Sequence, residues 1–257
     1  MDIGLVLSGG GMRGVAHIGA IKAMEEFGIV PTHISGTSAG AVVGALYANN
    51  IGWEGILDFF RTTQIFQGGK YAKGKPGFID SEKFYKEFIK MLPEDDFMAL
   101  DKKLFVTATD VVNGTPSIFE EGELIRPILA SASFPGMFTP TKVNDHLYVD
   151  GGILNNFPVE PLLLLCDRII GVYVNPLKKI STKDLKHSYN VLERSYKIKM
   201  AYDSIEKFKH CDLVVHPDRL DGYSTFQKQG IDEVFEIGYT NTKELLLKSS
   251  FYGTQEP

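Results

Sequence analysis

Cysteine and tryptophan are nearly absent from this chain of 257 residues, which holds two of the former and one of the latter. Cys166 and Cys211 are too few for the disulfide framework of a small secreted domain, and both read as small buried residues. His17, His33 and His146 show no metal-ligand spacing with either cysteine or with a carboxylate cluster, so neither a metal nor another cofactor is expected. No apolar run reaches the roughly 18 residues that a membrane span needs. Repeats and low-complexity tracts are missing too. A basic excess is lacking: 27 Lys and Arg face 32 Asp and Glu, for a net charge of -5. With no nucleic-acid motif either, nucleic acid is not expected as a partner. Met1-Asp2-Ile3-Gly4 leads into a strand-like run without a basic n-region, an apolar h-region or a cleavage site, so the expected address is the cytoplasm.

What remains is the composition of an enzyme-sized globular chain, 44% hydrophobic and 23% charged, and one domain over residues 1–257 is expected. Strand-like runs fall at 3–7, 32–35, 104–112, 117–120, 147–149, 168–174 and 212–215. Helical patterns fall at 14–28, 39–49, 53–61, 81–91, 123–132, 184–209 and 232–249. This alternation predicts an α/β fold, a three-layer α/β/α sandwich with a mostly parallel central sheet. Asn113-Gly114 between two strand-like runs is a hairpin signal, so one antiparallel pair should interrupt the sheet.

Gly36-Thr37-Ser38-Ala39-Gly40 stands between a strand-like run and a small-residue helical run. In that context G-x-S-x-G reads as a nucleophile elbow, with Ser38 on a tight turn and Ala39 opening the helix behind it. Glycines are needed on both sides because strand and helix backbones crowd there. The helix N-terminus favours negative charge.

Gly9-Gly10-Gly11-Met12-Arg13-Gly14 forms a second strand-to-helix loop, and consecutive glycines let backbone N–H groups converge on an anion. Gly9, Gly11 and Gly14 also satisfy G-x-G-x-x-G. A dinucleotide site would need an acid at the end of the second strand, where His33-Ile34-Ser35 stands instead. No Gly-Lys-Ser/Thr follows, so the phosphate-loop pattern of nucleotide hydrolases fails. The loop reads better as an oxyanion hole, and a non-catalytic phosphate-binding or nucleotide-binding module is the alternative. Arg13 is expected to brace the loop by bonding nearby carbonyls.

Val149-Asp150-Gly151-Gly152 ends a strand-like run, and on spacing alone it is an ordinary turn. Its flanks change the reading: Ser131-Ala132-Ser133-Phe134-Pro135-Gly136-Met137-Phe138-Thr139-Pro140 before it, and Leu154-Asn155-Asn156-Phe157-Pro158-Val159 after it. With these four ordered blocks the chain resembles the patatin-like phospholipases, in the bacterial branch similar to the catalytic domain of neuropathy target esterase. The blocks span residues 3–160 without a departure at the catalytic positions.

The resemblance implies a patatin-like fold and a lipid acyl hydrolase acting on lipid esters: phospholipase, lysophospholipase or esterase. Ser38 would be the nucleophile, Asp150 the proton acceptor, and Gly9, Gly10 and Gly11 the oxyanion hole, with Arg13 and Ala39 supporting. Acyl transfer to an acceptor other than water is a variant on the same dyad. Chemistry asks for the same three roles, since a neutral hydroxyl needs a positioned base and the oxyanion needs donors already in place. Histidine is the competing base, because Ser, Asp, His is an ordinary order in hydrolase triads. His187 and His210 sit in a lysine-rich helical region and read as surface residues. His216 ends a strand-like run and keeps a triad open.

Charge is uneven. Residues 61–92 carry a net charge of +4 and residues 178–209 one of +5, within a chain of net -5. Phe66, Tyr71, Phe78, Phe84, Tyr85 and Phe88 are interleaved in the first stretch. Solvated helix faces are the ordinary explanation. Docking on anionic lipid headgroups, as a peripheral protein at the inner membrane face, is the functional one.

Overall fold

Alternation along the strands decides the architecture. In Ile3–Leu7 (β1), Leu5 and Leu7 enter one apolar core while Val6 enters another on the opposite side of the sheet. Lys103–Asp110 (β3) repeats the split, Leu104 and Val106 facing the first core and Phe105 the second. Arg168–Val172 (β7) does so again, with Ile170 and Val172 opposite Ile169. A strand buried on both faces belongs to the interior of a layered α/β protein. The computed structural model describes residues 1–63, 76–225, 229–249 and 251. Phe66, Lys70, Tyr71, Lys73 and Lys75 of the first basic stretch lie outside them.

The eight-stranded sheet runs β5-β6-β3-β2-β1-β7-β8, with β4 also paired to β3. The remaining strands are His33–Thr37 (β2), Thr115–Phe119 (β4), Thr141–Val143 (β5), His146–Asp150 (β6) and Leu213–Val215 (β8). β1, β2, β3, β7 and β8 are mutually parallel neighbours. The hairpin at Asn113-Gly114 is present, Gly114 taking φ 70°. Instead of one antiparallel pairing there are three, because β6 returns along β3 and β5 along β6. At three residues β5 is too short to show a period in the sequence.

The larger core lies under Val15–Glu26 (α1), Ala39–Ala48 (α2), Trp53–Thr62 (α3), Tyr85–Met91 (α4), Ile125–Ser131 (α5) and Ile231–Lys248 (α7). The helix expected over 81–91 begins as a 3₁₀ turn, Ser81–Phe84. The other face is covered more thinly, by the segment around Phe157, Val159 and Leu162 and by Phe208. Ser188–Ile205 (α6) is shorter than the pattern at 184–209. Among its described side chains only Ala201 and Ser204 are buried.

One detail of register positions everything that follows. β2 pairs with β3 up to Thr37↔Thr107, β6 pairs with β3 from Asp150↔Ala108, and β4 pairs with Val106 through Asp110. A strand has two edges, so β4 takes one and β2 and β6 share the other, meeting end to end. The chain leaves β2 into Ser38 where β6 delivers Asp150.

Candidate active site

The glycine loop is held from behind. His17, fully buried in α1, reaches back to the Ser8 carbonyl at 2.8 Å. Burial pushes the imidazole pKa down to about 4, so His17 is neutral and its Nε2–H is the donor to that carbonyl. The Ser8 hydroxyl donates to Gly9 O at 3.1 Å and accepts from Val174 N at 3.0 Å. Asn175 donates its side-chain amide to Gly9 O as well. Arg13, 5% exposed, donates to Asn175 Oδ1 at 2.7 Å and to Thr225 Oγ1 and Tyr223 O, each at 3.3 Å. These contacts tie Arg13 to Asn175, which in turn holds Gly9 O.

The three glycines are not equivalent. Gly9 N–H already donates to Asn156 O at 3.2 Å. Among the described residues no acceptor takes the Gly10 or Gly11 N–H, and both residues line a cavity. Gly11 holds φ 57°, and a Cβ there would stand 2.7 Å from Thr225 Cγ2, so position 11 tolerates glycine alone.

Ser38 stands at the turn from β2 into α2 with φ 54° and ψ -122°, outside the regions an L-residue prefers. Such a conformation costs on the order of 1–3 kcal/mol and persists only where neighbours enforce it. Here a Cβ on Gly36 would lie 2.6 Å from Gly40 O, so strand and helix close on each other around the serine. Ser131 Oγ at the end of α5 accepts the Ser38 N–H at 2.8 Å. Two residues on, Ser133 O accepts the Asp150 N–H at 2.9 Å. One short segment thus grips the backbones of both Ser38 and Asp150.

Asp150 ends β6 at 4% exposure, and its Oδ1 accepts the Gly152 N–H at 2.7 Å. The Ser38 side chain, beside it in the same cavity, also favours the ionised carboxylate. Burial outweighs both effects and pushes the Asp150 pKa up to about 6. A carboxylate so tuned is ionised at neutral pH yet a far better base than an ordinary aspartate, and it faces the same cavity as the Ser38 hydroxyl. The arrangement can pass that proton from serine to aspartate while an oxyanion forms beside the Gly10 and Gly11 amides.

Ser38, Asp150, Gly9, Gly10, Gly11 and Arg13 line this one cavity together. Ala39 does not; it is fully buried, and a Cβ on Gly14 would stand 2.5 Å from its own Cβ. His216 is also absent from the lining. It packs edge-on to Tyr173 and Phe208, at 5.2 and 5.8 Å between ring centroids, and burial lowers its pKa. His187 and His210 are exposed. The far wall carries Phe134, Leu177, Tyr196 and Met200. The Tyr196 hydroxyl is buried with no hydrogen-bond partner among the described residues, and burial together with the Asp150 charge raises its pKa. Sequence reasoning gave no role to Ser131, Ser133, Asn175 or Tyr196. Asn175, three residues past β7, carried the one usable signal, since ligands gather beyond the carboxyl ends of parallel strands.

The lysophospholipase nte1 of Aspergillus fumigatus is 27% identical to this chain over 98% of it, but the chain spans only 18% of that protein. The lysophospholipase NTE1 of Cryptococcus neoformans is 32% identical over 63% of the chain and 10% of the relative. Among solved structures, VipD from Legionella pneumophila superposes with a TM-score of 0.58 at 15% identity, covering 96% of this chain and 67% of VipD. That likeness is one of fold. The family model for patatin-like phospholipase matches residues 5–163, from β1 through the elbow and Asp150 to the segment packed beneath the sheet, and the chain belongs to that family.

Proposed function

We propose that this chain is a serine lipid acyl hydrolase working through a Ser38–Asp150 dyad. The observation that carries the reading is that the Ser38 side chain and the buried Asp150 carboxylate line one cavity together with the N–H groups of Gly10 and Gly11, which no acceptor among the described residues takes. An ester carbonyl enters with its oxygen toward those two amides. Ser38 Oγ attacks as its proton passes to Asp150, and the tetrahedral oxyanion is met by donors fixed in advance. Collapse expels the alcohol or lysolipid, which takes the proton from Asp150. Water then attacks the acyl-serine, giving its proton to Asp150, and on collapse Asp150 returns that proton to Ser38 Oγ as the fatty acid leaves. Histidine has no part in the cycle. A phosphate-binding reading of the glycine loop is disfavoured by the same carboxylate, because a second anion would face Asp150 across the cavity.

The names of the relatives make a single-chain phospholipid the first substrate to test. No described helix is long and apolar enough to cross a membrane, and the lipid is taken to arrive from a surface. Fatty-acid release from lysophosphatidylcholine tests the proposal. Ser38→Ala should lose on the order of a thousandfold or more in kcat with the fold intact. Release that survives the substitution removes Ser38 from the role.

A further inference from the structure

Helix α6 has two faces, and only one is accounted for. Tyr196, Lys197 and Met200 line the catalytic cavity, and Ala201 and Ser204 are buried beside them. The opposite side is apolar and open to solvent. Val191, Ile198, Tyr202 and Ile205 follow one another at i, i+7, i+11 and i+14, which places them on one line of an α-helix. They are 48%, 47%, 71% and 47% exposed, and the adjoining Leu192 is 69% exposed. A water-facing helix surface ordinarily carries polar residues at such positions, and a contiguous apolar stripe marks a surface that meets something else.

Charge says what it meets. Residues 178–209 carry a net charge of +5 within a chain of net -5. Lys178, Lys179, Lys183 and Lys186 lie on the exposed approach to the helix. An apolar stripe on a segment of net positive charge suits the boundary between headgroups and acyl chains of an anionic bilayer, whereas a second copy of this segment would bring like charges together.

We infer that α6 is the membrane-docking element of this protein, lying along an anionic bilayer with Leu192, Ile198 and Tyr202 in the headgroup region. The inference rests on the lipid hydrolase reading and deepens it. The stripe that meets the bilayer and the wall that meets the substrate are opposite sides of one helix, so docking brings the catalytic cavity to within about 10 Å, one helix diameter, of the lipid supply.

Binding is measured without turnover, using the Ser38→Ala variant of this chain and sedimentable vesicles of phosphatidylcholine with about 30% phosphatidylserine, or of phosphatidylcholine alone. The expected result is binding to the anionic vesicles that weakens with added salt. Adding Leu192→Glu and Tyr202→Glu together should weaken that binding at least tenfold without lowering the melting temperature. Leu247→Glu, at an exposed leucine of α7 (69%) away from the cavity, should not. Vesicle binding that persists in the double variant overturns the inference. So does a parent protein that sediments as a dimer and ignores vesicles, with the double variant monomeric. A protein that docks as expected but releases no fatty acid refutes the hydrolase reading and not the docking surface. One that hydrolyses dispersed esters yet ignores vesicles does the reverse.

Discussion

Asp150→Asn should make the protein more stable and nearly inactive at once. The native carboxyl is raised from 3.8 to about 6 chiefly by burial, while the unfolded carboxyl keeps an ordinary pKa near 4. The native state therefore holds its proton longer, and its stability falls as pH rises from about 4 through about 6. A shift of roughly two units corresponds to about 3 kcal/mol of lost stability at pH 7.5. Asparagine keeps the shape and the acceptor for the Gly152 N–H, can donate an amide hydrogen to Ser38 Oγ, and carries no charge to bury. Its advantage over the wild type should be greatest at pH 7.5 and should vanish near pH 4. At about 2–4 °C per kcal/mol for a chain of this size, the melting temperature should rise by roughly 6–12 °C at the higher pH. Parallel thermal melts at the two pH values are the assay. An advantage independent of pH, or a variant less stable at pH 7.5 than the wild type, would refute the claim that a buried charge is held at this position.

The same pKa sets the pH dependence of turnover: Asp150 must be ionised to accept a proton, so kcat/KM should fall about tenfold per unit below pH 6, measured on a soluble ester. A limb near pH 4 would mean the carboxylate is not desolvated. Ser131→Ala removes the acceptor for the Ser38 N–H and should cost about 1–3 kcal/mol of stability in chemical denaturation, with kcat falling more than KM rises. Equal kinetics would show that the elbow holds itself. Tyr196→Phe removes a buried hydroxyl without a partner among the described residues, so stability should be unchanged or higher, while kcat/KM on a lysophospholipid should fall if that hydroxyl awaits the substrate. A variant equal to the wild type in both would leave the hydroxyl without a role.

Much of this was legible beforehand, for physical reasons. β1, β3 and β7 announce themselves as apolar runs, and α1 and α7 as helical periods, because burial imposes the repeat. The elbow is legible because Gly36 and Gly40 answer a steric demand that can be named in advance. The partnership of Ser38 with Asp150 is not contained in any spacing. It depends on β2 and β6 sharing one edge of β3, a pairing between residues far apart in the chain, and only the resemblance to a family supplied it. β5 escaped notice because three residues make no period. Gly9 shows the limit of reading a motif as a unit, since its N–H is given to Asn156 and only Gly10 and Gly11 keep theirs among the described residues. Ser131 was visible as a letter in a block, but a side chain accepting from a distant backbone leaves no local mark.

The central claim, a serine activated by an aspartate, is met most directly by intact-mass labelling with a fluorophosphonate, which puts its phosphorus on an activated serine oxygen as fluoride leaves. One adduct per chain is expected, mapped to Ser38, absent in Ser38→Ala and slowed by orders of magnitude in Asp150→Asn. A folded wild-type protein that takes no label, or takes it at another serine, would contradict it.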